Sequence, residues 1–378
     1  MRHAVPRSLV AGAIGAAAVL PWIAAGPALA TTATASATTF VAPAGSPKAA
    51  DHSCASAAYS SVQAAVNATR AGGTVIVCRG TYRQSVTVST QLRLVGRPGA
   101  TIDAAGQHYG VGVAASNVTV TGLTVENASV GGTLADGIVT AGLVGGKMVA
   151  GNHVTIVDNT VKDNAGSGID INSTSYSSAF DNRSTGNAVG VNVSDDFGLP
   201  AAHNVLIGNT ANRNPGGCGI ALADHTGKGI FGNLVAFNAS NDNGLGSPSA
   251  ENASSGSGVI LAGSTGGVYN NTIVGNTLDG NGHAGFDIHA HAPGLKFTNN
   301  SVIGNRIGVN NLRTSVGDLL TTGIYLGDAS PLSITVHGNV ISGDHFGIFT
   351  AGGPVTVHLQ HQNVYRHVTS DLGSTPTF

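Results

Sequence analysis

Asparagine recurs in this chain at an interval of five, and the pair itself repeats. The pairs are Asn159/Asn164, Asn182/Asn187, Asn209/Asn214, Asn233/Asn238, Asn276/Asn281 and Asn300/Asn305. Asn339/Asp344 continues the series, and Asn363 starts one more. First members lie 23, 27, 24, 43, 24, 39 and 24 residues apart. Five intervals cluster near 24, and the other two read as the same repeat carrying an insertion. A fixed period of this length is the signature of a solenoid, whose units bury their apolar faces only by stacking.

Apolar residues keep step with the pairs. Ile156, Leu206, Ile230, Ile273, Phe297 and Val336 precede the first Asn by three. Val161, Val235, Leu278, Val302 and Ile341 follow it by two. After the second Asn come Gly and an apolar alternation: "GIDIN", "GVNVS", "GIALA", "GFDIH", "GIFTA". Each repeat therefore supplies three short strands, and successive turns stack them in parallel, about 4.8 Å apart. Asn suits the turns between them. It tolerates left-handed backbone, and its amide both donates and accepts, so stacked copies bond along the axis in two ladders.

Composition agrees. Charged residues are only 10% of the chain while glycine numbers 55, which favours turn-rich β structure over helical bundles. Arg2 and Arg7 precede the apolar run "LVAGAIGAAAVL", and "ALA" ends at Ala30. This predicts a cleavable signal peptide over residues 1–30 and a secreted protein. Residues 31–53, rich in Thr, Ala, Ser and Pro, read as a linker. Without Arg2 and Arg7 there remain 15 basic and 19 acidic residues with no basic cluster, which argues against nucleic acid as a partner. No later stretch is long enough to span a bilayer. Cys54 and Cys78 flank the first structured segment, and export permits their disulfide, worth roughly 3 kcal/mol. Cys218, in "GGCGIAL", reads as a small buried residue.

These features together resemble the right-handed parallel β-helix of the pectate-lyase-like superfamily. The segment "YSSVQAAVNATRAGGTVIVCRGTYRQSVTV", Tyr59 to Val88, is similar to its N-terminal cap, in which a short helix covers the open end of the core. The expectation is an all-β fold, one domain over residues 54–370 with about ten coils, expected as a monomer. The superfamily holds lyases, hydrolases, esterases, epimerases and proteins without known chemistry, so fold alone assigns no reaction.

The two insertions, roughly Ala239–Ser257 and Arg306–Thr322, both fall just before a third strand. They bracket the strand "GFDIHAHAP", Gly285 to Pro293. Loops at one edge of a solenoid mark its binding face. The alignment stacks Asp287 between Ile260 and Tyr325, and His289 between Ala262 and Gly327. Modifying a uronide needs a group for the carboxylate, a base for the C5 proton and an acid. Asp287, His289, Tyr325 and Arg313 are the catalytic candidates. Arg306, His291, Glu251 and Asp318 are candidates for substrate binding. "GFDIH" also resembles the Asp-Pro-His motif of mannuronan C5-epimerases and related alginate lyases, with Ile288 in place of proline, Ala284 where tyrosine is usual and no lysine upstream. The bland alternative is that Asp287, His289 and His291 simply solvate an outward strand face.

A second polar patch stacks Asp170 and Asn172 beside Asn192, Ser194 and Asp196, then Asp224 and His225. Asp170, Asn192 and Asp196 are candidate calcium ligands, being hard oxygen donors. "SDDFG" supplies the paired aspartates of polygalacturonase-like hydrolases, but that family's later histidine and Arg-Ile-Lys segments do not follow. "VGRPG" at Val95 is similar to a pectin-esterase motif but lies too early. Five histidines, His337, His345, His358, His361 and His367, crowd the last 50 residues. His337 and His358, expected to stack, suggest a periplasmic copper-chaperone-like accessory protein. Three readings stand: a protein that binds, and as an enzyme would cleave or epimerise, an acidic polysaccharide; a non-catalytic structural or surface β-helix; and a metal-handling protein.

Overall fold

The computed structural model describes residues 36–45, 49–130, 134–246, 256–313, 320–328, 330–353, 355–359 and 362–374. Successive coils each contribute a strand to one parallel sheet of eleven strands among the described residues. Its eleven strands follow chain order: β1 Val86–Val88, β2 Tyr109–Val113, β3 Asp136–Val139, β4 Ser167–Asn172, β5 Val189–Ser194, β6 Ile220–Asp224, β7 Val259–Gly263, β8 Phe286–Ala290, β9 Thr322–Asp328, β10 Phe346–Gly352 and β11 Ser370–Ser374. A twelve-stranded parallel sheet forms a second face, and sheets of six and four strands form the third.

Alternation decides which side chains point inward. Val86, Val111, Ile138, Ile169, Val191, Ile220, Val259, Phe286, Ile324 and Ile348 form one inward column, each 0% exposed. Burying such a side chain contributes about 1.5–3 kcal/mol, so the core is a sum of near-identical layers.

The turns carry three asparagine ladders, not two. One runs Asn159, Asn182, Asn209, Asn238, Asn276, Asn305, Asn339, Asn363. A second runs Asn164, Asn187, Asn214, Asn243, Asn281, Asn310 and ends on Asp344. The third runs Asn204, Asn233, Asn271, Asn300. In a typical rung the Asn182 Oδ1 accepts both the backbone N–H and the amide Nδ2 of Asn159, at 3.0 and 3.1 Å. The pairs Asn233/Asn238 and Asn300/Asn305 therefore straddle the third and first ladders. The insertions shift accordingly, to the segments after Asn243 and Asn310, but still enter β7 and β9.

The N-terminal end is closed by helix α1, Val62–Ala68, capped by the Ser61 hydroxyl accepting from the Ala64 N–H. Its Val62, Ala65 and Val66 sit on the core. The ordered fold starts before the expected boundary at residue 54. Ser36–Val41, inside the expected linker, is a strand paired in parallel with Thr69–Val77. It is ordered because Thr39 and Val41 are buried. The Cys54–Cys78 disulfide is formed, which fits an extracellular or periplasmic compartment. Cys218 is a free, buried thiol. Among the described residues no helix is long and apolar enough to cross a membrane.

Candidate functional site

The outward side of the eleven-stranded sheet is a groove. Three cavities join along it. One of about 340 Å³ is lined by Asp136, Asp170, Asn192, Asp196 and His225 among others. A second of about 340 Å³ shares Asn192 and His225 and reaches His289 and His291. The third, about 230 Å³, lies between His289, His291, Tyr325 and Gly327. Among the described residues no lysine or arginine lines any of the three. A hairpin of Ala141–Val144 and Lys147–Ala150 follows β3, and its Met148 packs with Phe197 against Tyr109 and Val139.

Strand register arranges the groove in columns. Asp170, Asn192, Ala221, Ile260, Asp287, Tyr325 and Phe349 occupy one. Asn172, Ser194, Ala223, Ala262, His289 and Gly327 occupy the next. The stacking of Asp287 and His289 expected from the sequence is thus realised. Their exposure is not. Asp287 points away from the core yet is 0% exposed, because His283, Ser257 and His289 cover it. This is no wet strand face.

The insertions build that cover. Ser257, at the end of the first, donates its hydroxyl to Asp287 Oδ2 at 2.8 Å. His283, in the turn before β8, places Nδ1 2.6 Å from the same oxygen. The turn is held from both sides: the His283 N–H donates to the Gly256 carbonyl, and the Asn311 N–H donates to the His283 carbonyl. His289 Nε2 lies 3.2 Å from Asp287 Oδ1. Burial would raise the Asp287 carboxyl, but the facing imidazoles of His289 and His283 and the hydrogen bonds from His283 and Ser257 outweigh it and hold it below the usual carboxylate range. Burial is the main cause that pushes His289 down, helped by the neighbouring imidazoles of His283 and His291 and opposed by Asp287. The two shifts favour the ionised form of Asp287 and the neutral form of His289. The Tyr325 ring stands 5.3 Å from both His283 and His289. Gly327 makes room for it: a Cβ there would lie 2.3 Å from the ring's Cε1.

The other candidates divide. His291 is exposed at the cleft rim, its ring 5.9 Å from that of His289. Arg306 lies on the strand Arg306–Ile307 of the four-stranded sheet, exposed and on another face, so it does not reach the groove. Arg313 follows the second insertion's first residues. Its backbone N–H bonds the Gly282 carbonyl and its stem packs on Gly282, so the guanidinium does not line the cleft. Glu251 and Asp318 lie outside the described residues. His283 was not anticipated, because it precedes the alternating strand; only its spacing of four from Asp287 hints at it.

The second patch also assembles. Asp170 accepts from Asn172 Nδ2 at 2.8 Å, Asn192 Nδ2 at 3.1 Å and the Ser194 hydroxyl at 3.1 Å. Asp196 meets His225 Nδ1 at 2.6 Å and Asn172 Nδ2 at 3.0 Å. Asp195 and Asp224 turn away to clasp loops: Asp195 accepts the backbone N–H groups of His225, Thr226 and Lys228, and Asp224 those of Gly229 and Gly266. Toward the calcium expectation for Asp170, Asn192 and Asp196, the side chains stand with the N–H₂ groups of Asn172 and Asn192, not their oxygens, turned to Asp170. Among the described residues only His283, Asp287 and His289 bring three ligand atoms within 4.8 Å of one another.

Among the described residues the C-terminal histidines form no cluster of three ligand atoms. His358 pairs with Thr335, two residues from His337, and bonds the Ser333 hydroxyl at 3.0 Å. A register offset of two residues breaks the expected stack. His361 lies outside the described residues.

The class these features define is a parallel β-helix with a sheet-face groove and a buried carboxylate between imidazoles. A family model described as "Periplasmic copper-binding protein (NosD)" matches residues 63–244, short of the His283–His289 segment. Among solved structures, pectate lyase Pel9A aligns with TM-score 0.60 and 16% identity, over 86% of this chain and 78% of that one. The A-module of a mannuronan C-5 epimerase from Azotobacter vinelandii aligns with TM-score 0.54 and 20% identity, over 84% and 95%. An alginate lyase from Paenibacillus sp. aligns with TM-score 0.51 and 15% identity, over 81% and 95%. No curated protein sequence matches. The chain shares the right-handed parallel β-helix fold with these solved structures.

Proposed function

We propose that the protein is secreted, acts as a monomer, binds an extended acidic polysaccharide along the groove and moves the C5 proton of a uronic acid at Asp287, His289 and Tyr325. The observation that carries this reading is an imidazole and a phenol facing one cleft, their rings 5.3 Å apart, with the imidazole 3.2 Å from a buried carboxylate. A neutral imidazole is a base matched to neutral pH. In the reaction the C5–H bond breaks and its proton passes to His289. Tyr325 then returns a proton, either to C5 from the opposite face, giving the epimer, or to the C4 oxygen as the C4–O bond breaks and a C4=C5 double bond forms. Asp287 orients His289 and stabilises its charged form. With no arginine in the cleft, His291 is the group placed to meet the sugar carboxylate. The pectate lyase, alginate lyase and epimerase among the fold's relatives support the substrate class.

The test is a panel of pectate, alginate and glycosaminoglycans, read by the ultraviolet absorbance of unsaturated product. Product formation lost in His289→Ala and Tyr325→Phe supports elimination. Product that persists undiminished in both variants removes the assignment.

A second reading has one observation in its favour. His283, Asp287 and His289 offer two imidazoles and a carboxylate, a set suited to copper, zinc or nickel. As they stand, the two imidazole nitrogens face the carboxylate itself. Copper titration of the protein and of His283→Ala separates the readings: tight binding lost in the variant favours the metal.

A further inference from the structure

The groove is polar at both ends and apolar between them. In its two outward columns β4 and β5 present Asp170, Asn172, Asn192 and Ser194, and β8 presents Asp287 and His289. The two strands between present Ala221 and Ala223 from β6, and Ile260 and Ala262 from β7. Ala221 and Ile260 join Cys218 in an apolar cluster separate from the main core, and Val189 and Ala262 pack against it. These five residues line the cavity of about 340 Å³ that has Asn192 and His225 at one end and His289 and His291 at the other. The outward face of a sheet that meets water is ordinarily polar. Here it is a floor of methyl groups in the middle of a groove.

The surroundings restrict what can fill it. A sugar hydroxyl lowered onto this floor would leave water and find no partner, which is costly. Cys218 supplies none: its thiol accepts the Gly256 N–H at 3.3 Å, and burial pushes it up to about 11, so it stays a neutral wall and not a nucleophile. A carboxylate is no better placed, since among the described residues no lysine or arginine lines the cavity. The wall before β6 is close-packed, because a Cβ on Gly216 would lie 2.9 Å from the Cα of Ala188. One donor stands at the rim. His225 has its Nδ1 2.6 Å from Asp196 and is half exposed, which leaves Nε2 to meet a ligand. The occupant is therefore small, uncharged, apolar at its tip, and carries an acceptor beside that tip. An acetyl group has this form, with its methyl on the alanines and Ile260 and its carbonyl oxygen at the imidazole.

We propose that this cavity is a subsite for an acetyl group carried by the sugar next to the reacting uronic acid, on the side of the N-terminal coils. Ile260 stands one strand from Asp287 and Ala221 two, about 5 and 10 Å along the groove, which is the place of the adjoining residue of an extended chain. An acetyl ester on a uronic acid and an acetyl amide on a hexosamine present the same methyl and carbonyl, and the cavity recognises what they share. No bond to the acetyl group is made or broken. Ala221, Ala223 and Ile260 then determine specificity while His289 and Tyr325 carry the chemistry. The proposal rests on the reading that a uronic acid glycan lies in the groove, and it adds which of those glycans the groove prefers.

The experiment measures by calorimetry the affinity of the full chain for oligosaccharides of equal length, in two pairs. One pair is an O-acetylated oligouronate and the same oligomer after saponification. The other is a uronate–hexosamine oligomer with its amines N-acetylated or N-formylated, which differ only by the methyl. A methyl-esterified oligouronate controls for apolarity without the acetyl shape. The expected result is affinity about tenfold or more higher for the acetylated member of at least one pair, and the pair that responds identifies the source of the group. Ala221→Leu and Ala223→Leu, which fill the cavity from its outward side, should abolish that preference. Denaturation midpoints identify any variant that fails to fold, and the wild-type comparison needs no variant. Binding is read without turnover, so loss of the C5 assignment leaves the preference measurable, and turnover without a preference removes the subsite alone. Equal affinity within both pairs, no binding by any oligomer, a larger gain from the methyl ester than from acetyl, or folded leucine variants that keep the preference would overturn the proposal.

Discussion

Asp170 and Asp287 occupy the same column of the same sheet, four coils apart, and both are shut off from solvent. Their protonation runs in opposite directions. Asp170 receives three neutral donors and faces two other carboxylates, and it is held well above the usual range. Asp287 receives a hydroxyl and faces two imidazoles, and it is held below. Burial alone would raise both. The difference lies in the partners: Asp287 meets His289 from its own strand together with Ser257 from an insertion and His283 from a turn, whereas Asn172, Asn192 and Ser194 are all strand residues. One solenoid position thus becomes an acid store or a stable carboxylate according to which partners surround it.

The largest break in this comparison is His289→Ala, which removes the base while leaving Asp287 covered by His283 and Ser257. Turnover at C5 should fall by about 100- to 10,000-fold, with the fold retained by circular dichroism. Next comes His283→Leu, which takes away the closest partner of Asp287. A buried charge that loses its partner costs about 3–5 kcal/mol, read as a lowered denaturation midpoint at neutral pH.

The two ends of the groove should also differ in how stability follows pH. Asp136 and Asp170 have folded values above their unfolded ones, chiefly through burial. The folded state then binds more protons, and the stability they contribute is lost as pH rises from the unfolded value toward neutral. Asp287 has the reverse sign: its contribution is present above the unfolded value and is lost as pH falls through the folded one. Asp170→Asn should therefore flatten the fall in stability that sets in as pH rises above the unfolded carboxyl value and leave the range below that value unchanged, measured by urea midpoints across pH.

Asp344 offers a related check on the ladder. It stands where six asparagines precede it, is pushed up to about 8 chiefly by burial, and has a buried Oδ2 without a partner. By the same sign argument it costs stability above the unfolded carboxyl value. Asp344→Asn should raise stability at neutral pH by about 1–3 kcal/mol, and the gain should vanish in acid. The smallest effect is expected from Gly327→Ala, which displaces the Tyr325 ring and lowers activity with little change in stability.

Much of the fold was legible because a ladder tolerates no drift: each rung needs an amide at one position of the turn. The same rule explains the misread pairs. Asn204/Asn209/Asn214, Asn233/Asn238/Asn243, Asn271/Asn276/Asn281 and Asn300/Asn305/Asn310 are triplets with the same spacing of five, so a pair taken from one of them has two valid registers. The column of Asp287 and Tyr325 survived because the error shifted the insertions without moving the strands they enter. The cover over Asp287 was not legible. His283 and Ser257 approach through turns whose course depends on neighbouring coils, and no periodicity marks them. Asp136 was missed for a like reason, since it stands at the start of β3 outside the alternating run. The arginines went the other way: Arg306 and Arg313 have the right chemistry, but register puts one on another face and packing turns the other from the cleft.

The most direct test of the C5 assignment is deuterium exchange. Uronic acid polymers incubated with the protein in deuterated water would be examined by magnetic resonance for deuterium at C5, which epimerisation introduces and which needs no double bond. The account predicts incorporation by the wild type and none by His289→Ala or Tyr325→Phe. Absence of both C5 deuterium and unsaturated product with every uronide polymer, or incorporation that both variants retain, would contradict it.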